Sequence, residues 1–432
     1  MHKCGTYSLV VPCLFLAATA SLRAGDELPS KVLKPPGGVE SITVSADGRW
    51  LVAGCKEDTR LWALTAADPS AKSIVLRGFA GPVSPDGRWL MTAGNDRTIR
   101  LWDLKADDPS AEGREVAPYE AAWEPLRGVA IGPNNRWLVT VGSDKVLRLW
   151  DLKAKDEVAR PQVLLKRQGG FVFRSPDGRW LTTGSSAGNV GVWDFAADDP
   201  VSKALVRQLK KDKGYAGPQG ISPDGRWLVT VDPGRRLWDL RAKDPFARPV
   251  AEFGGPEHVR SLDFSSDSRW LVTGGDDGLT RLYDLKATDP GSKPRELGGH
   301  AKGESVGEVR FTPNGRWLVT GGRDQTARRW DMRTIEDSPK SEVLRGHTNW
   351  VEFLAVSLNS RWLVTAASTA NGDFDRAARL WDLEAADPTA VRAVLGHGGS
   401  LQDAIFCPDN RWLVSRASDR TVRLWDLKAT KK

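Results

Sequence analysis

Residues 308–332 read EVRFTPNGRWLVTGGRDQTARRWDM, and this segment shows how the chain is built. Short runs rich in Val, Leu, Thr and Trp alternate with polar positions, and turn residues separate the runs at Pro313–Gly315 and Gly321–Asp324. A period of two residues, with Gly, Pro, Asn and Asp between the runs, is typical of antiparallel strands. The segment therefore predicts short strands joined by tight turns and leaves no space for a helix.

Two marks of this segment, Arg316-Trp317 and Trp330-Asp331, recur along the whole chain. The first mark occurs nine times, with its Trp at positions 50, 89, 137, 180, 227, 270, 317, 362 and 412. The second mark follows each copy, with Trp at positions 62, 102, 150, 193, 238, 330, 381 and 425 and Tyr at position 283. Because 17 of the 19 Trp occupy these positions, the composition itself indicates a repeat protein.

Each repeat of about 40 to 45 residues supplies about four strands, which is the signature of a propeller blade. A lone four-stranded sheet leaves both faces in water, whereas blades stacked around an axis bury them against each other. We therefore predict an all-β fold, a closed β-propeller of nine four-stranded antiparallel blades. The alternative is eight or seven blades plus an appended sheet, because propellers usually have four to eight blades.

The two ends of the repeat region are predicted to meet in the ninth blade. The sequence after Val422–Leu427 contains no outer strand for that blade, and residues 31–34 (KVLK) resemble the outer-strand residues 343–345 (VLR). We predict that residues 31–34 complete the last blade and remove an open edge. Residues 25–432 are then one propeller domain.

The first 24 residues have the pattern of a secretory signal peptide. Lys3 precedes an apolar stretch from Leu9 to Ala20, and the small residues at Ala18–Ala20 or at Ala24 suit cleavage. Cys55 and Cys407 remain after residue 24, and we expect them at opposite faces of the disc as two free thiols. We expect an exported protein, periplasmic or extracellular, with no membrane span.

The order Gly-His, Ser-Pro-Asp-Gly, Leu-Val-Thr-Gly, Asp and Trp-Asp resembles the WD-repeat (WD40) family, in a secreted bacterial form, over almost all of the chain after residue 24. In that family a His, a Ser or Thr, an Asp and the Trp of one blade form a hydrogen-bonded tetrad. The resemblance implies three structural tetrads: His300, Thr320, Asp324 and Trp330; His347, Thr365, Asp375 and Trp381; and His397, Ser415, Asp419 and Trp425. The first five repeats lack the Gly-His, so we expect their blades to depend on packing.

The sequence offers no recognisable catalytic or metal site. Three His residues beyond the signal segment stand in the Gly-His position, which gives them a structural explanation, and no HExxH or paired CxxC motif occurs. The loop at residues 371–375 (NGDFD) faintly resembles a calcium loop but lacks the bidentate Glu. We therefore predict no enzyme activity and no cofactor.

The Arg before each repeated Trp could suggest nucleic-acid binding, but the net charge of +7 is mild and no long basic run occurs. Consecutive strand residues point to opposite faces, so we expect each Arg to point away from its Trp. We expect it to cover apolar surface or to pair with a neighbouring Asp. We therefore predict that nucleic acid is not the partner.

Candidate partner-binding residues are those that the repeat does not require. Two Trp lie outside the repeat positions, and exposed aromatic residues are common interface anchors. The resemblance to WD-repeat proteins adds the residue before each turn Asp. The candidates are Trp350, Trp123, Tyr119, Asn95, Ser143, Asp276, Arg323 and Ser418.

These residues predict a non-catalytic scaffold of the cell envelope or secreted fraction that binds an unidentified protein and is a monomer. The alternative is a carbohydrate-binding or carbohydrate-active propeller, with a polysaccharide partner. An enzyme of that class would need Asp and Glu side chains about 5 to 10 Å apart at the central channel.

Overall fold

The computed structural model describes residues 27–428, apart from positions 95, 97, 112, 119–127, 142–145, 154–161, 166–170, 176–177, 185–188, 203, 210–216, 233, 254–258, 292–293, 338 and 368–376. The described residues form nine sheets of four antiparallel strands, one for each repeat. The prediction of nine four-stranded blades is confirmed, and the alternative with fewer blades and an appended sheet is wrong. The predicted signal segment, residues 1–24, lies outside the described residues.

The strands are numbered along the chain, and the first, β1 (Ser30–Leu33), belongs to the ninth blade. Blades 1 to 3 comprise β2 (Val39–Val44), β3 (Trp50–Cys55), β4 (Asp58–Ala63) and β5 (Ile74–Arg77); β6 (Phe79–Val83), β7 (Trp89–Ala93), β8 (Thr98–Asp103) and β9 (Arg114–Pro118); and β10 (Gly128–Ile131), β11 (Trp137–Val141), β12 (Leu147–Asp151) and β13 (Gln162–Leu165). Blades 4 to 6 comprise β14 (Phe171–Arg174), β15 (Trp180–Gly184), β16 (Asn189–Asp194) and β17 (Leu205–Gln208); β18 (Gly217–Ile221), β19 (Trp227–Asp232), β20 (Gly234–Asp239) and β21 (Ala251–Phe253); and β22 (Val259–Phe264), β23 (Trp270–Gly275), β24 (Thr280–Asp284) and β25 (Arg295–Leu297). Blades 7 to 9 comprise β26 (Val306–Phe311), β27 (Trp317–Gly322), β28 (Ala327–Asp331) and β29 (Ser341–Leu344); β30 (Val351–Val356), β31 (Trp362–Ala367), β32 (Ala377–Asp382) and β33 (Ala393–Gly396); and β34 (Leu401–Phe406), β35 (Trp412–Ala417), β36 (Val422–Asp426) and β1.

The first strand of each repeat lies beside the first strand of the next, and β34 of blade 9 lies beside β2 of blade 1. Because the strands of a blade alternate in direction, every blade places the same connections on the same side. The upper face carries the loop between the second and third strands and the connection to the next blade. The lower face carries the turn before the Arg-Trp mark and the turn after the Trp-Asp mark.

The core lies between neighbouring blades. Val52 and Leu61 of blade 1, for example, are buried against Leu90 and Trp102 of blade 2. Burial of an aliphatic side chain of this size contributes about 1.5 to 3 kcal/mol. The repeated apolar residues thus join blades to each other, which explains why one blade alone would not be stable.

Strand β1 pairs antiparallel with β36, with Ser30 opposite Trp425 and Leu33 opposite Val422. Leu28, just before β1, is buried in the cluster between blades 8 and 9, and Leu33 is buried in the cluster between blades 9 and 1. The start of the described chain therefore supplies the outer strand of the last blade and contacts the blades on both sides.

In eight of the nine repeats the Arg before the first Trp lies over the ring of that Trp, so the prediction that it points away is wrong there. Arg88 Cζ lies 4.9 Å from the ring centroid of Trp89, and Arg88 Nη2 lies 2.8 Å from Asp103 Oδ2. The alternation rule does not apply because Arg88 is the last residue of the turn and β7 begins only at Trp89. The expected pairing with a neighbouring Asp is present here and at Arg136, Arg179, Arg226, Arg269, Arg361 and Arg411.

Candidate functional site

The tetrad of blade 7 links two upper-face loops to the sheet. His300 Nδ1 lies 2.9 Å from Asp324 Oδ1, and His300 Nε2 lies 2.8 Å from Thr320 Oγ1. Trp330 Nε1 donates to the same Thr320 hydroxyl at 3.3 Å. The loop that carries His300 is therefore held to the loop that carries Asp324, and both are held to the centre of the blade.

The electrostatics of this tetrad favour a charged Asp324. Burial acts to raise the pKa of Asp324, but the hydrogen bond and charge of His300 outweigh it and the pKa lies well below its usual range. The Ala301 amide also donates to Asp324 Oδ2 at 3.1 Å. Because Asp324 contacts both the His300 ring and the Ala301 amide, it orders the loop at residues 298–305.

The tetrads of blades 8 and 9 share the hydroxyl contacts and differ at His Nδ1. His347 Nε2 lies 2.7 Å from Thr365 Oγ1, and His397 Nε2 lies 2.6 Å from Ser415 Oγ. In blade 8 the predicted acid, Asp375, lies outside the described residues, and Arg379 Nη1 lies 2.6 Å from His347 Nδ1.

In blade 9 the predicted acid lies farther away than in blade 7, with 3.6 Å between Asp419 Oδ2 and His397 Nδ1. The indoles of Trp381 and Trp425 donate to the Thr365 and Ser415 hydroxyls at 2.8 and 2.7 Å.

Three of the predicted partner-binding residues are brought together on the upper face of blades 6 to 8. Arg323 Cζ lies 4.0 Å from the ring centroid of Trp350, so a residue of blade 7 stacks on the entrance to blade 8. The Arg323 amide donates to the Ser305 carbonyl at 2.9 Å, and the Ser305 hydroxyl donates to Asp276 at 2.9 Å. Arg260 Nε lies 2.5 Å from Asp276 Oδ1. We call Arg260, Asp276, Ser305, Arg323 and Trp350 the upper-face cluster.

The other predicted partner-binding residues have different positions. Ser418 lies apart from the upper-face cluster, at the junction of blades 9 and 1, and its hydroxyl accepts a hydrogen bond from the Ser400 amide at 3.0 Å. Trp123, Tyr119, Asn95 and Ser143 lie outside the described residues.

Sequence reasoning missed the side chains that connect the predicted ones. Arg260 and Ser305 join blades 6 and 7 through Asp276, but neither stands in a position that the repeat marks. Arg379, by contrast, occupies a recurring position two residues before the second Trp, also held by Arg100 and Arg281. That recurrence was a usable signal for a structural partner of the tetrad.

Both described Cys residues are free and buried, and both belong to the apolar cluster between blades 9 and 1. Burial raises the pKa of Cys55 to about 12 and also raises that of Cys407. No three His, Cys, Asp or Glu side chains come together as a metal site would require in the described ranges, and the possible calcium loop at residues 371–375 lies outside them. The described part of the chain also has no helix with the length and apolarity that crossing a membrane demands.

The family described as "WD domain, G-beta repeat" matches seven segments that together cover more than half of the chain. They are residues 72–103, 115–151, 173–194, 247–284, 291–331, 339–382 and 389–426. The two repeats without a match, around Trp50 and Trp227, nevertheless form complete blades.

Curated relatives include the nuclear distribution protein PAC1 of Arthroderma otae, which is 27% identical over 49% of this chain and 38% of its own length. The target of rapamycin complex subunit LST8-1 of Arabidopsis thaliana is 30% identical over 48% of this chain and 65% of its own length. The human serine-threonine kinase receptor-associated protein is 35% identical over 16% of this chain and 18% of its own length. The chain thus covers less than two thirds of each of these relatives.

Proposed function

Because the chain belongs to the WD domain, G-beta repeat family, we propose that it is a non-catalytic scaffold that binds a protein partner through its upper face. The upper-face cluster is the observation that supports this proposal most. It combines a half-buried Trp350, a stacked Arg323 and an adjoining Arg–Asp pair on three successive blades. Trp and Arg are the side chains most enriched among the residues that dominate binding energy at protein interfaces.

The rigidity of this face also suits a scaffold. Arg323 is held by the hydrogen bond from its backbone amide to the Ser305 carbonyl and by its stacking on Trp350. Side chains that are already ordered lose less conformational entropy when a partner binds. The names of two relatives describe a subunit of a complex and a receptor-associated protein, which agrees with a binding role for this chain.

The experiment is a comparison of the proteins captured by the purified wild type and by two variants. The double variant Arg323→Gln/Trp350→Ala removes the stacked pair, and the control Leu358→Ser removes an apolar side chain that is 59% exposed on the lower face of blade 8. We expect a protein that binds the wild type and the control with equal affinity and binds the double variant about tenfold or more weakly. Equal binding to all three would place the partner site elsewhere.

The carbohydrate alternative is tested with the same three proteins on immobilised polysaccharides. Retention of polysaccharide by the wild type, without any protein partner, would contradict the scaffold proposal and favour the alternative. Turnover of the retained polysaccharide would contradict the non-catalytic part of the proposal.

We propose further that the protein is exported as a monomer to the periplasm or the extracellular medium, on the strength of residues 1–24. The mature chain would then begin near Gly25. N-terminal sequencing of protein from the cell envelope and secreted fractions tests this, with light scattering for the mass. A protein recovered from the cytoplasm with residues 1–24 intact would be evidence against export.

A further inference from the structure

A cleft with excess positive charge lies on the upper face where blade 9 meets blade 1. Its volume is about 470 Å³, and its lining includes Glu40, Lys56, Arg416, Ser418 and Arg420. Small-molecule sites in proteins commonly have about 300 to 1,000 Å³. The cleft is therefore large enough for a small ligand and is separate from the upper-face cluster.

Three cations and one carboxylate line this cleft. Lys56 and Arg420 are exposed, and neither makes an ion pair with any residue in the described ranges. Seven of the nine arginines that precede a repeated Trp on the lower face are different, since each is paired with an Asp, as Arg88 is with Asp103. Asp403 lies opposite Arg416 in the sheet and offsets part of its charge, so among the described residues Lys56 and Arg420 are the cations of the cleft that have no protein anion.

Arg416 is held in place and still has donors to spare. Its Nη1 donates to the Val39 carbonyl at 3.2 Å and to Gln402 Oε1 at 2.7 Å, so it joins the inner strands of blades 9 and 1. Its Nη2 makes no hydrogen bond with a described residue and is not buried, whereas its Nε is buried and out of a ligand's reach. A fixed guanidinium with unused donors binds oxyanions without a further ordering cost.

The loop that contains Gly37 and Gly38 lies beside the Arg420 side chain. Gly38 has φ +81°, and a Cβ at this position would lie 3.4 Å from Cγ and Cδ of Arg420. Gly37 has φ +80° and faces open space. Glycine is the residue that adopts this backbone without strain, and here it lets the Arg420 side chain lie across the loop.

We propose that this cleft binds a small oxyanion that carries two or more negative charges, as carboxylates or as phosphate. Arg416 would bind it by hydrogen bonds, while Lys56 and Arg420 would neutralise the remaining charge. Glu40 repels an anion, but the three positive groups attract it, so the net preference of the cleft is for an anion. The site does not depend on a protein partner and would bind its ligand in the isolated protein.

The test is isothermal titration of the purified chain with citrate and, separately, with pyrophosphate, which distinguish carboxylate from phosphate ligands. The variant Lys56→Gln/Arg420→Gln removes the two unpaired cations, and Gln at position 420 keeps the carbon atoms that lie beside Gly38. The control Lys302→Gln/Arg345→Gln removes the same charge from exposed upper-face positions between blades 6 and 8. Circular dichroism and thermal unfolding check that both variants fold.

We expect at least one of the two anions to bind the wild type and the control alike, and to bind the Lys56→Gln/Arg420→Gln variant about tenfold or more weakly. Binding should also weaken as salt rises, and sorbitol, a neutral molecule of similar size, should not bind. No binding of either anion to the wild type would overturn the proposal. So would equal losses in the variant and the control, because the effect would then reflect net charge rather than the cleft. Neither result would bear on the upper-face cluster.

Discussion

The same His position has three different environments in three blades, and this changes what each His does. His300 Nδ1 has a carboxylate oxygen at 2.9 Å, His347 Nδ1 has a guanidinium nitrogen at 2.6 Å, and His397 Nδ1 has its nearest carboxylate oxygen at 3.6 Å. Burial lowers the pKa of His397 to about 4, because Asp419 is too far away to offset the loss of solvation.

This lowered pKa predicts that the protein loses stability in mild acid. The unfolded chain binds a proton at His397 near pH 6.5, whereas the folded chain does so only near pH 4, so the unfolded state binds more protons between these values. The contribution of His397 is complete above about pH 6.5 and declines as the pH falls toward 4. It amounts to about 1 to 3 kcal/mol, since one pKa unit corresponds to about 1.4 kcal/mol.

The measurement is urea unfolding of the wild type and His397→Gln at pH 7.5 and pH 4.5. We expect the variant to be less stable at pH 7.5 and the gap to shrink at pH 4.5, because Gln does not titrate. An NMR titration of the folded wild type provides the check on mechanism. A His397 resonance that titrates near pH 6.5 would rule this account out.

Sequence reasoning located the tetrad residues because the repeat fixes their spacing, but it could not locate their partners. His347 and Arg379 are 32 residues apart, and their contact depends on how the loop between β31 and β32 is shaped. The position of Arg88 over Trp89 was missed for a similar reason, since the strand begins one residue later than the pattern suggested. The spacing within the repeat predicts which residues form the tetrads. The direction of a side chain at the end of a strand depends instead on the local backbone conformation.

At the scale of the element, the Arg–Asp pairs of the lower face hold the turn before the second strand to the end of the third strand. The antiparallel register places Trp362 opposite Asp382, so the preceding Arg361 reaches the carboxylate. Arg361 Nη2 lies 2.6 Å from Asp382 Oδ2, and the Asp382 side chain is only 8% exposed. In blade 2 the equivalent Asp103 side chain is 24% exposed.

This difference in burial predicts different effects for the same substitution. Arg361→Gln leaves a buried carboxylate without its cation, and we expect a loss of about 2 to 4 kcal/mol in the free energy of unfolding. Arg88→Gln, the matched control, leaves a carboxylate that water can solvate, and we expect a loss of less than about 1 kcal/mol. Equal losses measured by urea unfolding at pH 7 would show that burial of the Asp does not set the strength of these pairs.

The blades of the first five repeats, which lack a Gly-His, contain polar contacts that the sequence pattern did not predict. We expected these blades to depend on packing, but in blade 2 Arg100 Nη2 lies 2.6 Å from Asp96 Oδ2. Blade 6, for which that expectation was not made, has the same contact, with Arg281 Nη2 2.6 Å from Asp277 Oδ2. Trp102 of blade 2 still donates to the Thr92 hydroxyl at 2.8 Å. Blade 2 thus keeps the turn Asp and the Trp–Thr bond, and its Arg100 contacts the turn Asp as His300 does in blade 7.

At the scale of the molecule, the blade number was predictable and the upper-face cluster was not. Nine sequence marks became nine sheets because each mark carries a strand that must pack between two neighbours. The cluster, in contrast, forms between blades, where Asp276, Ser305 and Arg323 come from three different connections. The sequence identified Trp350 and Arg323 separately, but only the packing of blade 7 against blade 8 places one on the other.

The contact between the two ends of the described chain gives the last prediction. Removal of residues 25–34 would expose the edge of β36 and empty the sites of Leu28 and Leu33, which are 1% and 3% exposed. Loss of two buried leucines alone costs about 3 to 6 kcal/mol, and an open strand edge promotes association. We therefore expect the truncated chain to unfold at a lower temperature and to form oligomers on size exclusion. A synthetic peptide of residues 27–36 should restore both properties, and the same peptide with Leu33→Asp should not, because it places a carboxylate in the cluster between blades 9 and 1. A truncated chain that stays monomeric and unfolds at the wild-type temperature would mean that β1 is not what joins the ninth blade to the first.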